Sequence, residues 1–191
     1  MSVETVAVFG GSFNPPHLAH VLAASLVLST RDVDRLLVVP TFRHPFAKLL
    51  APFDERVRMS ELAMGWLPRV EVSRIEERLG GESRTLRTLE HLQKENPTWK
   101  LCLVMGADLL LESPKWFGFD EIQKIAPPIV LGRVGVEGPR FPPPLLPSLS
   151  STEVRAKIAA GAWQDLADLL PRAVLAHVRA HGLYVDAEPQ A

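Results

Sequence analysis

Two histidines three residues apart, His17 and His20, follow the glycine-bearing segment Gly10-Gly11-Ser12-Phe13-Asn14-Pro15-Pro16, and these residue types suit the handling of phosphate. Glycines remove the side chains that keep a phosphate away from the backbone. A helix N-terminus offers an anion unpaired N–H groups and the positive end of the helix dipole. At i and i+3 the two imidazoles share one helix face and reach the same anion. Taken singly, each part has a plainer reading. A glycine pair after a strand is also an ordinary turn, and His-x-x-His is also a metal-pair spacing. Here it comes without the following glutamate of the zinc-protease spacing and without a cysteine cluster.

These residues need elements to position them. The apolar run at residues 5–9 predicts a buried strand stopped by the two glycines. Pro15-Pro16 then lead into the helical pattern Leu18, Val21, Leu22, Ser25, Leu26, proline being favoured where helices begin. Further strands are predicted at 36–39 (closed by Pro40), 70–73, 99–105 and 129–131. Helices are predicted at 54–66, 85–93, 154–160 and 172–181, the last stopped by Gly182. Ser150 reads as an N-cap with Glu153 completing a capping box.

Strands alternating with helices predict an α/β fold, a doubly wound, all-parallel five-stranded sheet in the order 3-2-1-4-5, followed by C-terminal helices. One domain is expected over 1–191: a core at about 5–133, a proline-rich connection at 134–149 and a helical part at 150–185. Ligands of such sheets bind beyond the strand carboxyl ends where strand order reverses. That crevice, between the first and fourth strands, would gather residues 10–20 and Met105-Gly106-Ala107-Asp108. Asp108 has a second reading as the N-cap of a turn at 109–112.

Composition excludes several classes. Among 191 residues, 21 basic side chains face 22 acidic ones, a net charge of −1, which excludes a nucleic-acid partner held by bulk electrostatics. The single Cys102 forms no internal disulfide and reads as a small core residue in an apolar run. No secretion-type N-terminus and no run of membrane-spanning length is visible, so a soluble, cytoplasmic protein without a membrane partner is expected.

The combined string Gly10-Gly11-Ser12-Phe13-Asn14-Pro15-Pro16-His17-Leu18-Ala19-His20 resembles the phosphate signature of adenylyl- and cytidylyltransferases, with Ala19 in place of a glycine. Four further segments extend the resemblance. They are Ser83 to Leu89, Gly106-Ala107-Asp108-Leu109 with Trp116 and Ile122, Ser150-Ser151-Thr152-Glu153-Val154-Arg155, and His181-Gly182-Leu183-Tyr184. Together, over about residues 5–185, they look like bacterial nicotinate-mononucleotide adenylyltransferases, enzymes of a Rossmann-like fold.

The resemblance implies transfer of AMP from ATP to the 5′-phosphate of nicotinate mononucleotide, with release of pyrophosphate and Mg²⁺ carried by the ATP phosphates. It implies that His17 and His20 are catalytic donors to the phosphates, His20 nearest the α-phosphate. Gly10, Gly11, Ser12, Phe13, Asn14, Lys48, Gly106, Asp108, Ser151, Thr152 and Arg155 would bind ATP. His44, Thr85, Asp108, Trp116, Phe117 and Arg133 would bind the mononucleotide. Trp116 would stack on the pyridine ring, with the Phe117 amide at the carboxylate; a core tryptophan is the competing reading. Arg84 and Arg87 stand where the family has an aromatic residue and an aspartate. Two alternatives stay open: another small-substrate adenylyltransferase (using nicotinamide mononucleotide or pantetheine phosphate), and a non-catalytic nucleotide-binding sensor.

Overall fold

The computed structural model describes residues 3–44, 50–112, 116–136 and 141–185. Five strands, β1 (Glu4–Gly11), β2 (Arg35–Pro40), β3 (Val70–Val72), β4 (Trp99–Gly106) and β5 (Pro128–Leu131), form one sheet in the order β3-β2-β1-β4-β5. Every pairing is parallel, as the alternating pattern predicts. Helices α1 (Leu18–Thr30), α2 (Phe53–Met64), α3 (Ile75–Leu79), α4 (Thr85–Glu95), α5 (Ala107–Glu112) and α6 (Phe119–Ile125) connect the strands. Helix α7 (Ser151–Ala159), a 3₁₀ turn at Trp163–Leu166 and α8 (Arg172–Ala180) follow the sheet.

The side-chain alternation of a strand divides the core in two. Ala7 and Phe9 of β1, with Leu36 and Val38 of β2, face a core closed by α1, α2, α7 and α8. Val6 and Val8, with Leu37 and Val39, face the opposite core, closed by α3, α4 and α6. Burial on both faces explains why these strands read as continuous apolar runs.

Several boundaries differ from the sequence expectation. Strand β1 runs through Gly10 and Gly11, because β2 pairs with it as far as Gly11↔Pro40. Helix α2 ends at Met64, and Trp66 lies outside it, largely exposed. Helix α7 begins at Ser151, three residues early, with the Ser150 hydroxyl accepting from the Glu153 amide at 3.1 Å as its N-cap. Helices α3 and α6, of five and seven residues, are too short to show a period in sequence.

The described part of the proline-rich connection lies outside the five-stranded sheet, bridging to the residues just after β5 (Arg133↔Leu146, with the Leu145 and Leu146 amides donating to the Gly132 carbonyl) and burying Leu146 and Leu149 in the main core. A Cβ on Gly132 would stand 2.0 Å from the Pro143 carbonyl oxygen, so only glycine lets the connection cross there.

Candidate active site

The carboxyl ends of β1 and β4 meet at the reversal of strand order, and the loop after β1 enters α1 there. His17 is the N-cap of α1, with extended backbone angles. Its amide donates to Nδ1 of His20 at 3.1 Å, and the two rings stack with centroids 3.8 Å apart. Because a backbone N–H can only donate, Nδ1 of His20 holds the lone pair, and the neutral ring carries its proton on Nε2. The reciprocal contact from the His17 ring toward the His20 amide falls short of a hydrogen bond. Nδ1 of His17 is therefore the one buried side-chain polar atom among the described residues without a partner. Such an orphan is expected where a ligand completes the site.

Both imidazoles are neutral at physiological pH. Burial, then the charge of Arg133, pushes His17 down to about 4. Burial, then His17 and Arg133, pushes His20 well below its usual value. The pair thus offers neutral hydrogen-bond donors, with positive charge supplied nearby by Arg133.

Arg133 follows β5. Its guanidinium donates to Asp108 Oδ2 at 2.8 Å and to the Leu149 carbonyl. Asp108 lies inside the first turn of α5, so it is not the N-cap of a later turn. Its carboxylate folds back over Gly106, where a Cβ would meet Oδ1 at 2.3 Å. A side chain at position 106 would have to displace that carboxylate from its place over the strand end. Helix α7 closes the other side: Ser151 Oγ donates to the Pro15 carbonyl at 2.9 Å.

Three side chains expected at ATP, those of Phe13, Asn14 and Arg155, make contacts within the protein. The Phe13 side chain is buried, at positive φ, its ring edge-on to Phe9 and His20. Asn14 is buried too. Its Oδ1 accepts from the Ala51 amide (2.9 Å) and the Tyr184 hydroxyl (3.0 Å), and its carbonyl accepts from Arg155 (2.8 Å). Arg155 is itself buried and also donates to Thr152 Oγ1 at 3.3 Å. It braces the loop where sequence reasoning had it forking onto phosphates. The methyl of Ala19 packs into the main core.

A second group lies at the same sheet edge. Thr85 opens α4, and the Arg84 guanidinium sits 5.5 Å from the centre of the exposed Phe117 ring. Trp116 is half-buried, edge-on to Phe119 and packed against the second core. Arg87 donates to the carbonyls of Leu79 and Gly80, capping α3. His44 follows Arg43, whose carbonyl accepts from the Ser83 amide at 2.9 Å. Lys48 lies outside the described residues.

Sequence reasoning missed Arg56, although it sits on the buried face of α2 with Met59, Ser60 and Ala63. Fully buried, it donates to the carbonyls of Ser12 (3.0 Å), Thr41 (2.7 Å), Phe42 (3.4 Å) and Ala51 (2.9 Å). One guanidinium thus ties the loop after β1 to the loop after β2. Glu76 complements it, accepting from the Phe42 amide at 2.9 Å, its carboxyl raised by burial.

A family described as cytidylyltransferase-like matches residues 8–157. The chain is 46% identical to a protein named probable nicotinate-nucleotide adenylyltransferase of Anaeromyxobacter dehalogenans, covering 94% of this chain and 96% of that protein. It is 39% identical to the protein of the same name from Myxococcus xanthus, covering 94% of each. Plasmodium falciparum nicotinic acid mononucleotide adenylyltransferase, solved in complex with NaAD, aligns with a TM-score of 0.83. That match is 16% identical, over 95% of this chain and 97% of that one, a likeness of fold. With relatives this similar along nearly their whole lengths, the chain belongs to the nicotinate-nucleotide adenylyltransferase family of cytidylyltransferase-like proteins.

Proposed function

We propose that this chain transfers the adenylyl group of ATP to nicotinate mononucleotide, forming nicotinate adenine dinucleotide and pyrophosphate in the biosynthesis of NAD, in the cytoplasm. The observation that carries the reading is the neutral His17–His20 pair, one nitrogen orphaned, at the start of α1 beside Arg133. The names of the relatives support the substrates.

A phosphate oxygen of the mononucleotide attacks the α-phosphorus of ATP. The bond to the bridging oxygen breaks, and pyrophosphate leaves with the electron pair. The phosphate is already ionised, so no strong base is needed, and positioning with charge stabilisation carries the rate. His20 Nε2–H and His17 donate to the α-phosphate oxygens, whose charge grows in the transition state. The backbone of Gly10 to Asn14 with Gly106, the Ser151 and Thr152 end of α7, and Lys48 hold the remaining phosphates of ATP. Arg155 keeps that end against the loop. Asp108 takes a ribose hydroxyl, and Arg133 adds charge. Mg²⁺ fits as an ion carried by the ATP phosphates, the cleft's Asp108 being paired to Arg133, and it would neutralise charge on the leaving group. Thr85, His44, Trp116 and the Phe117 amide receive the nicotinate end, with Arg84 near its carboxylate.

Pyrophosphate release measured with ATP and, in turn, nicotinate mononucleotide, nicotinamide mononucleotide and pantetheine phosphate tests the assignment. Turnover with a clear kcat/KM preference for the acid is expected, because donors placed for a carboxylate leave the amide NH₂ without an acceptor. Preference for the amide or the pantetheine substrate transfers the protein to that activity. Release with none of them makes it a nucleotide-binding protein.

A further inference from the structure

Outside the cleft, the first turn of α2 and the C-terminal end of α8 bring together Glu55, His177 and His181. We propose that these three side chains bind a divalent transition metal ion of the zinc type, clamping α8 to α2.

The two histidines are four residues apart, so both imidazoles project from one face of the helix. Their rings stack with centroids 4.1 Å apart and 31° between planes. One ligand atom from each of the three residues lies within 4.8 Å of the others. Ligand atoms about 2.0–2.2 Å from a tetrahedral ion stand roughly 3.3–3.6 Å from one another, so small side-chain rotations complete the site. The set of two imidazoles and one carboxylate suits zinc and its neighbours, whereas magnesium and calcium take oxygen ligands.

Tautomers agree with this. Nδ1 of His181 donates to the His177 carbonyl at 3.0 Å, which leaves the lone pair on Nε2. Nε2 of His177 lies 2.6 Å from Glu55 Oε2, and the ion takes the place of the proton in that bond. A helix-to-helix pair of Glu55 with His177 accounts for those two residues alone. It leaves unexplained why exposed His181 stacks on His177 with its outer nitrogen unengaged by any described hydrogen bond. Solvent reaches the site through His181 and fills the fourth position.

The test uses the full chain, freed of metal by a chelator. Zn²⁺ at about a hundred times its Kd is expected to raise Tm by about 5 °C, while Mg²⁺ leaves it unchanged. Co²⁺ is expected to give a visible ligand-field band with one ion bound per chain. His181→Ala keeps the Glu55–His177 bond, so the variant stays folded, and it should weaken Zn²⁺ binding at least tenfold and abolish the band. Absence of a Zn²⁺ response in the unmodified protein overturns the proposal. A response that persists in His181→Ala places the ion elsewhere and overturns it as well.

Discussion

At the scale of single residues, the site depends on two imidazoles that are uncharged and fixed in orientation. His20 has two tasks: its Nδ1 accepts the His17 amide, and its Nε2–H remains for a phosphate. His20→Ala should therefore lower kcat by roughly 10²–10³, the usual effect of losing one aimed transition-state donor. It should also lose about 1 kcal/mol of stability through the missing cap contact. Steady-state kinetics beside a urea melt separates the two effects, and a folded variant with normal turnover would make His20 purely structural. Neutrality has its own signature in pH. The unfolded chain binds a proton on His17 near pH 6.5, whereas the folded protein refuses it until about pH 4. Unfolding free energy therefore falls as pH drops through that window and levels off below it. For His17 alone the loss is about 3 kcal/mol. Urea unfolding at pH 7 and pH 4.5 should show a smaller loss in His17→Gln than in the unmodified protein; equal losses would mean that His17 is charged in the fold.

At the scale of elements, the loop after β1 is held in place by residues that never touch substrate in the proposed reaction. Arg56 reaches four carbonyl oxygens on the segments after β1 and β2 and at the entry to α2. Arg56 is itself buried while its four acceptors are partly buried, so shortening its side chain leaves several of those carbonyls without the donor that ties them together. Arg56→Lys retains the charge but reaches only part of this set. It should cost about 2–4 kcal/mol and raise KM for ATP and mononucleotide together, since both ride on the tethered loops. An effect on one substrate alone, in a protein of normal Tm, would assign Arg56 to that subsite instead. Nothing in the charge pattern around Asp54-Glu55-Arg56 distinguishes this residue from a solvated one; its partners are main-chain oxygens far away in sequence.

At the scale of the whole molecule, the chain's last helix is part of the first strand's core. Val174 and Val178 of α8 are fully buried beside Ala7, Phe9 and residues of α1 and α2. Tyr184 reaches back to Asn14 across 170 positions. Each buried valine contributes about 1.5–3 kcal/mol, set against a typical margin of about 5–15 kcal/mol for a domain. Leu175, Leu183 and Tyr184 add to that. Deleting residues 171–191 should therefore leave a chain without cooperative thermal unfolding, as followed by circular dichroism. A truncated protein that melts sharply and still binds ATP would show that α8 is an appendage.

Sequence alone determined that the strands form a parallel sheet, because apolar runs alternating with helical periods call for crossover connections; among the doubly wound orders that this pattern allows, the fold takes the expected 3-2-1-4-5. Sequence also determined the pairing of the glycine-bearing segment with His17 and His20 at a helix start, since glycine, proline and spacing act locally. The tertiary structure decided what those residues touch. Burial beside Arg133 makes the histidines neutral, and no local pattern carries that burial. Phe13, Asn14 and Arg155, expected at phosphate, became the loop's internal supports because α7, α8 and Tyr184 close over it. Arg56 stayed hidden for the same reason. Its ligands are backbone carbonyls, which every residue carries, and only the folded chain selects which of them come within reach of one guanidinium.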